Sequence, residues 1–82
     1  MLQVVATVDQ RDPTPLYVQL AAILRDDIES GRLADGELIP SETYLQQHGV
    51  SRVTVRKAVA LLRDDGLVYT IQARGTFVGR PD

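Results

Sequence analysis

The spacing of apolar residues along this 82-residue chain changes at Gly66, and this change constrains the fold more than any other feature. In the helical segments between Leu16 and Gly66 the apolar residues recur with the 3.6-residue period of an amphipathic helix, whereas after Gly66 they alternate as in a strand. A first helical stripe, ended by Ser30-Gly31, consists of Leu16, Leu20, Ile23, Leu24 and Ile28. The residues that follow, 33–40, are predicted to be a connector with a turn. The pattern therefore predicts helices first and a β-hairpin last.

A short second helix is predicted to begin after Ser41 and to end at Gly49. The Ser41 hydroxyl can accept a hydrogen bond from a free backbone N–H at a helix start, and Glu42 suits the positive end of the helix. Tyr44 and Leu45 are predicted to point inward.

A third helix is predicted to begin at Arg52, with the Ser51 hydroxyl as its N-terminal cap. Its buried stripe consists of Val55, Ala58, Val59 and Leu62. The hairpin after Gly66 consists of a strand at 67–71, a tight turn at 72–75 and a returning strand at 76–78. Two helices joined through Gly49 by a short turn are a helix-turn-helix candidate, to which the hairpin adds a wing.

We therefore predict an α+β, mainly helical fold: a winged helix-turn-helix, with three helices followed by a β-hairpin wing. The domain covers residues 12–79. Residues 1–11, with a β-branched run between Val4 and Val8, form an N-terminal arm that is either disordered or an edge strand. Residues 80–82 are a terminus or the start of a linker. A chain of this size buries only about 60% of its unfolded surface, which is enough for one small domain.

The composition disfavours catalysis and metal binding. The chain has no cysteine, which excludes disulfides and thiolate metal sites. Its single histidine, His48, has no second ligand at helical spacing. The adjacent pairs Asp26-Asp27 and Asp64-Asp65 point to different sides of a helix, so neither can act as an acid–base couple. We expect no enzyme activity, no cofactor and no metal.

The sequence contains no pattern typical of a membrane segment or a secretory signal. Its longest apolar run, at 20–24, is far shorter than the roughly 20 residues that cross a bilayer. The N-terminus lacks the basic start and long apolar stretch of a signal peptide. We therefore expect a cytoplasmic protein without a membrane partner.

The predicted exposed side of the third helix is cationic. At 100° per residue, Arg52, Arg56 and Arg63 fall within about 40° of one another and away from the buried stripe, with Val53 and Lys57 beside them. Such a slim, basic helix suits the major groove of DNA, where one arginine can bond both O6 and N7 of guanine. Arginines on a helix are also common on a merely solvated face, so these residues alone leave both interpretations open.

The charges are unevenly distributed along the chain. The net charge is −2, yet residues 51–80 contain six basic and two acidic side chains, and the excess of acid lies in the first half. A nucleic-acid binder is characterised by such a local patch rather than by its net charge.

Residues 15–78 resemble the DNA-binding domain of the GntR family of bacterial transcription regulators, and most closely its HutC-like branch. The matching blocks occur in the family's order and spacing, which makes the resemblance more specific than any single short motif. They are PLYVQL at 15–20, IESGRL at 28–33, PSE at 40–42, VSRVTVR at 50–56, GLV at 66–68 and RGTFV at 74–78.

The resemblance implies a transcription regulator, expected to be a repressor, that binds operator DNA sequence-specifically with its third helix in the major groove. The residues expected to read bases are Arg52, Arg56 and Val53. The residues expected to contact phosphates are Ser41, Ser51, Thr54, Lys57 and Thr43. The wing residues expected in the minor groove are Gln72, Ala73, Arg74, Gly75 and Thr76. The implied partner is a palindromic double-stranded operator bound by a homodimer, at least on DNA. A small-molecule effector would bind a C-terminal domain that this chain lacks.

Two features depart from the family's pattern. Ala73 stands where the family usually has glycine, and its Cβ could hold the wing backbone away from the groove floor. The stretch at 69–71 replaces one that is often basic. Together with the net negative charge of the chain, these departures keep an alternative open: a winged-helix protein-interaction module with weak or no DNA binding.

Overall fold

Three α-helices and a β-hairpin follow one another in a computed structural model that describes residues 7–80. The helices are α1 (Leu16–Glu29), α2 (Glu42–Leu45) and α3 (Arg52–Asp64), with a 3₁₀ turn (Gln46–His48) after α2. The antiparallel strands are β1 (Val68–Ile71) and β2 (Gly75–Val78). The predicted winged helix-turn-helix fold is confirmed.

Serine hydroxyls cap both helices of the helix-turn-helix, as predicted. The Ser41 hydroxyl accepts a hydrogen bond from the backbone N–H of Tyr44 at 3.1 Å, and the Ser51 hydroxyl accepts one from Thr54 at 3.2 Å. Gly49 has a φ of 88°, a left-handed conformation that carries no steric penalty for glycine. The chain can therefore reverse between α2 and α3 within a few residues.

The core lies where α1 packs against α3 and α3 packs against β1 of the hairpin. The largest fully buried side chains are Leu20, Leu24, Leu45, Val55 and Leu62. Burying each such side chain is worth about 1.5–3 kcal/mol. An ion pair between Arg25 and Asp65 also links α1 to the end of α3. One face of α3 is thus held against the core, which leaves the opposite face to the solvent.

The connector before α2 contains an extended segment that the sequence analysis did not predict. Leu38 forms a β-bridge with Phe77, and the backbone N–H of Ile39 donates to the carbonyl of Thr76 at 2.9 Å. The N–H of Val78 donates in turn to the carbonyl of Glu37 at 2.8 Å. These bonds attach the wing to the chain that leads directly into α2, so the wing and α2 have a fixed relative position.

The prediction that Tyr44 points inward is wrong. Its side chain is 55% exposed, whereas Leu45 is 1% exposed. Neighbouring residues on a helix point about 100° apart, and in a helix of one turn only one of the two can face the core. Leu45 is that residue, and Tyr44 adds an aromatic ring to the protein surface.

The described part of the N-terminal arm, residues 7–11, is neither a strand nor detached from the domain. Val8 is buried in the core. The Thr7 hydroxyl donates to the carbonyl of His48 at 2.9 Å, and the Gln10 amide donates to that of Gly49 at 3.1 Å. The expectations for residues 1–6 and 81–82 lie outside the described residues. Within residues 7–80 no helix is long and apolar enough to cross a membrane.

Candidate nucleic-acid interface

The face of α3 opposite the core is exposed from its first turn onward. Val55 and Ala58 are fully buried, whereas Arg52, Arg56 and Val53 have exposed fractions of 59%, 64% and 60%. Lys57 is exposed beside them. The structure therefore brings the three predicted base-reading residues and one predicted phosphate-binding residue to one solvent-facing surface.

The first turn of α3 is organised by Ser51 and Thr54. The Ser51 hydroxyl accepts the Thr54 N–H and donates to the Thr54 hydroxyl at 3.0 Å. Thr54 is half-buried, while Ser51 is exposed. Backbone N–H groups at a helix start carry partial positive charge and bind anions. Thr43 is exposed at the start of α2, where Ser41 is the cap, so the four serines and threonines predicted to contact phosphates lie at the starts of α2 and α3.

A carboxylate that the sequence analysis treated only as a helix-end charge lies between the two arginines. One oxygen of Glu42, Oε1, lies 3.5 Å from Nε of Arg52, and the other, Oε2, accepts a hydrogen bond from Nε of Arg56 at 2.9 Å. Glu42 is thus a member of the site that the sequence analysis missed. No local pattern reveals it, because it belongs to a different helix and the contact depends on the packing of α2 against α3.

The wing tip is a turn closed by a hydrogen bond from the Arg74 N–H to the Ile71 carbonyl at 3.0 Å. Gln72, Ala73 and Arg74 are exposed. Ala73 has a φ of 68°, and among the described residues it is the one non-glycine residue with a positive φ. The tip therefore presents the side chains of Gln72, Ala73 and Arg74 to the solvent.

Arg63 differs from the other arginines of α3. Its Nη1 donates to the hydroxyl of Thr70 on β1 at 2.7 Å, and the Thr70 hydroxyl also lies 2.9 Å from that of Thr76. Arg63 therefore links α3 to the wing. Of the three arginines predicted to share the exposed face of α3, Arg52 and Arg56 lie beside Glu42, whereas Arg63 lies beside the hairpin.

A groove with a volume of about 510 Å³ runs between α2, α3 and the wing. The charged and polar side chains along it include Ser41, Glu42, Arg56, Arg63, Arg74 and Thr76. Gly75 lies at its edge. Arg52, Val53, Lys57 and Thr43, with the wing residues Gln72 and Ala73, occupy exposed surface beyond the groove lining.

The described residues contain no group of three or more histidine, cysteine, aspartate or glutamate side chains that could hold a metal ion. His48 lies at the end of the 3₁₀ turn. Its Nδ1 is buried without a hydrogen-bond partner among the described residues. His48 lies outside the groove lining.

Comparison with known sequences identifies the family. The sequence profile of the family described as "Bacterial regulatory proteins, gntR family" matches residues 16–78. The HTH-type transcriptional repressor NagR of Bacillus subtilis is 40% identical over 75 residues, which covers 90% of this chain and 31% of NagR. The histidine utilization repressor of Pseudomonas aeruginosa is 39% identical over 70 residues, which covers 84% of this chain and 28% of that repressor. The chain thus spans less than a third of the length of these relatives.

A solved structure agrees with this assignment. The DNA-binding domain of AraR, determined in complex with the operator ORX1, is 34% identical and has a TM-score of 0.83. The match covers 95% of this chain and all of that one. The chain therefore belongs to the GntR family of bacterial regulatory proteins, and its likeness to the histidine utilization repressor agrees with the HutC-like branch.

Proposed function

We propose that this chain binds operator DNA sequence-specifically and acts as a transcription regulator, in the manner of a repressor. The observation that carries the proposal is the exposed start of α3, where Arg52, Val53 and Arg56 face the solvent and both arginines lie beside Glu42 of α2. The operator complex of the similar AraR domain and the description of NagR as a repressor support it.

The proposed base contacts come from the first turns of α3. A helix about 10–12 Å across fits the major groove, which is about 12 Å wide. Arg52 and Arg56 each present a guanidinium that can donate two hydrogen bonds to O6 and N7 of a guanine. The isopropyl group of Val53 is suited to contact with a thymine methyl group.

The proposed phosphate contacts surround these residues and fix the orientation of α3. Ser41 and Thr43 lie at the start of α2, and Ser51 and Thr54 lie at the start of α3. Lys57 extends the positive surface along α3. Contacts of this kind supply affinity without reading sequence.

The wing is proposed to enter the adjacent minor groove. Its tip residues are Gln72, Ala73, Arg74, Gly75 and Thr76. Basic side chains are attracted to a narrow minor groove by its negative potential, and Arg74 is the side chain suited to this contact. Because the connector fixes the wing relative to α2, the wing and α3 are expected to engage DNA together.

Two copies are proposed to bind a palindromic operator as a homodimer, at least on DNA, with half-sites about one helical turn apart or less. Residues 12–79 are the proposed DNA-binding unit, which is expected to work without an effector, a cofactor, a metal or a catalytic step. Such a regulator is expected in the cytoplasm.

The test begins with selection of bound duplexes from a random pool, followed by fluorescence anisotropy over a range of salt concentrations. Arg52→Ala and Arg56→Ala should each weaken binding of the selected duplex by about 1–3 kcal/mol, or roughly five- to 150-fold. They should also relax the preference for one base pair. Affinity should fall steeply with added salt, because phosphate contacts release counterions.

Arg32→Ala is the matched control. The Arg32 side chain is 60% exposed, nearly the same fraction as that of Arg52. Like Arg52 it is ion-paired: Asp27 and Asp26 contact its guanidinium and raise the pKa of Arg32. It lies outside α2, α3 and the wing, so its replacement should leave affinity nearly unchanged. Unchanged affinity in both the Arg52 and Arg56 variants would show that α3 is not the reader. Capture of a protein through α3, with no salt-dependent binding to any duplex, would favour the protein-interaction module.

A further inference from the structure

The two proposed base-reading arginines share one carboxylate. Oε1 of Glu42 faces Arg52 Nε at 3.5 Å, while Oε2 accepts the hydrogen bond from Arg56 Nε at 2.9 Å. Arg52 and Arg56 lie one helical turn apart, where two cations repel each other. A carboxylate between them offsets this repulsion and draws both guanidinium groups toward α2.

The atoms involved determine which donors remain free. A guanidinium is planar and carries five N–H donors, one on Nε and two on each Nη. Both contacts with Glu42 are made by Nε. Each arginine therefore turns its Nε side toward Glu42, Arg56 through a hydrogen bond and Arg52 as an ion pair. The edge formed by the Nη groups is left for an acceptor outside the protein. Two parallel N–H donors on that edge suit the paired acceptors of guanine.

The carboxylate has two opposing effects on DNA binding. Its negative charge lies in the interface and repels the phosphates of every duplex alike. Its contacts also hold two flexible side chains in one orientation, which lowers the entropy lost when they bind bases. This second effect acts only where the arginines meet their bases. The two effects are therefore distinguishable, because only the second changes the ratio of specific to non-specific affinity.

We propose that Glu42 is a positioning residue that sets base specificity by orienting Arg52 and Arg56 together before DNA is bound. This inference rests on the proposed function. It predicts that removal of the Glu42 carboxylate makes the chain bind DNA more tightly in general but discriminate less well between sequences.

The test compares Glu42→Ala with Glu29→Ala in the 82-residue chain. Glu29 is exposed at the end of α1, outside the groove lining, so its replacement makes the same change in charge and the same truncation away from the arginines. The probes are the duplex selected by the unmodified chain and a scrambled duplex of the same composition. The Glu42 variant should bind the scrambled duplex more tightly than the unmodified chain does. Its ratio of affinity for the selected duplex to affinity for the scrambled duplex should fall about tenfold, which is the discrimination that one oriented arginine can supply. The Glu29 variant should keep the original ratio.

A second measurement needs no DNA. The Nε–H protons of Arg52 and Arg56 are observed by NMR, and their exchange with water should be slower in the unmodified chain than in the Glu42 variant. A thermal unfolding curve shows that the variant is folded, and little change is expected because an exposed ion pair contributes at most modestly to stability.

The outcomes separate the two proposals. If the unmodified chain does not prefer its selected duplex over the scrambled one, the proposed function fails. If it does prefer that duplex, and Glu42→Ala leaves the ratio unchanged or strengthens both affinities equally, the positioning role is overturned. Equal Nε–H exchange rates in the unmodified chain and in the Glu42 variant would overturn it as well.

Discussion

Replacing Ala73 by glycine should stabilise the protein, although most substitutions by glycine destabilise. Ala73 has a φ of 68° at the wing tip, in the left-handed region where a Cβ is crowded by the following carbonyl oxygen. That conformation costs an L-residue about 1–2 kcal/mol. The Ala73 side chain is exposed, so its removal sacrifices little packing.

The expected magnitude follows from two opposing contributions. Glycine relieves the steric cost of the left-handed conformation, but it adds about 0.4–1 kcal/mol of conformational entropy to the unfolded chain. The net gain in unfolding free energy for Ala73→Gly therefore lies between about 0 and 1.6 kcal/mol, with a central value of about 0.8 kcal/mol. In a domain of this size the central value corresponds to a rise in Tm of about 3–6 °C.

Thermal and urea unfolding, followed by circular dichroism, measure this change. The matched control is Ala22→Gly, because Ala22 is also exposed but lies within α1. There glycine should destabilise by about 0.5–1 kcal/mol, a shift of opposite sign. The urea midpoint should move without a change in slope, since the surface exposed on unfolding is unaltered. If Ala73→Gly destabilises as much as Ala22→Gly, the reasoning about strain at the wing tip is refuted.

Two further predictions concern the elements that hold α3 in place. Ser51→Ala removes the hydroxyl that caps α3, 3.2 Å from the Thr54 nitrogen. Urea titration should show an unfolding free energy that is lower by about 1 kcal/mol. No loss of unfolding free energy would show that the cap is dispensable. Leu62→Ala leaves a cavity at a fully buried position on the opposite face of α3. It should lower the unfolding free energy by about 2–5 kcal/mol, which a much lower urea midpoint would show. A loss below about 1 kcal/mol would contradict the packing described for the core.

Most of the fold could be predicted from the sequence because its determinants are local. Serines at helix starts and glycines at helix ends act on backbone groups within a few residues, so Ser41, Ser51 and Gly49 mark the helix-turn-helix. The change of period at Gly66 similarly marks the hairpin. These signals do not depend on which elements later pack together.

The features that could not be predicted depend on contacts between distant residues. The extended segment at Leu38 exists because Phe77 pairs with it, and no property of residues 33–40 alone indicates that partner. The same holds for Val8, which is buried because the chain before α1 packs against the core. Tyr44 was misassigned for a different reason, since one helical turn is too short for periodicity to identify a face.

In the candidate site, too, the local features could be predicted from the sequence and the contacts between distant residues could not. The exposed positions of Arg52, Val53 and Arg56 follow from the helical period alone. The carboxylate between the arginines does not, because Glu42 and Arg56 are fourteen residues apart and meet only when α2 packs against α3. Helical periodicity could therefore predict which side chains are exposed, but not how they are oriented.

The proposed reading of guanine by α3 in the major groove is tested most directly by a double-mutant cycle between arginine and base. Each guanine of the selected duplex is replaced by 7-deazaguanine, which lacks the N7 acceptor but keeps its base pairing. At one guanine position, the replacement should weaken binding by the unmodified chain but have little further effect on binding by the Arg52→Ala variant. At a second guanine position, the same should hold for the Arg56→Ala variant. Additive losses at every guanine for both variants would contradict the claim.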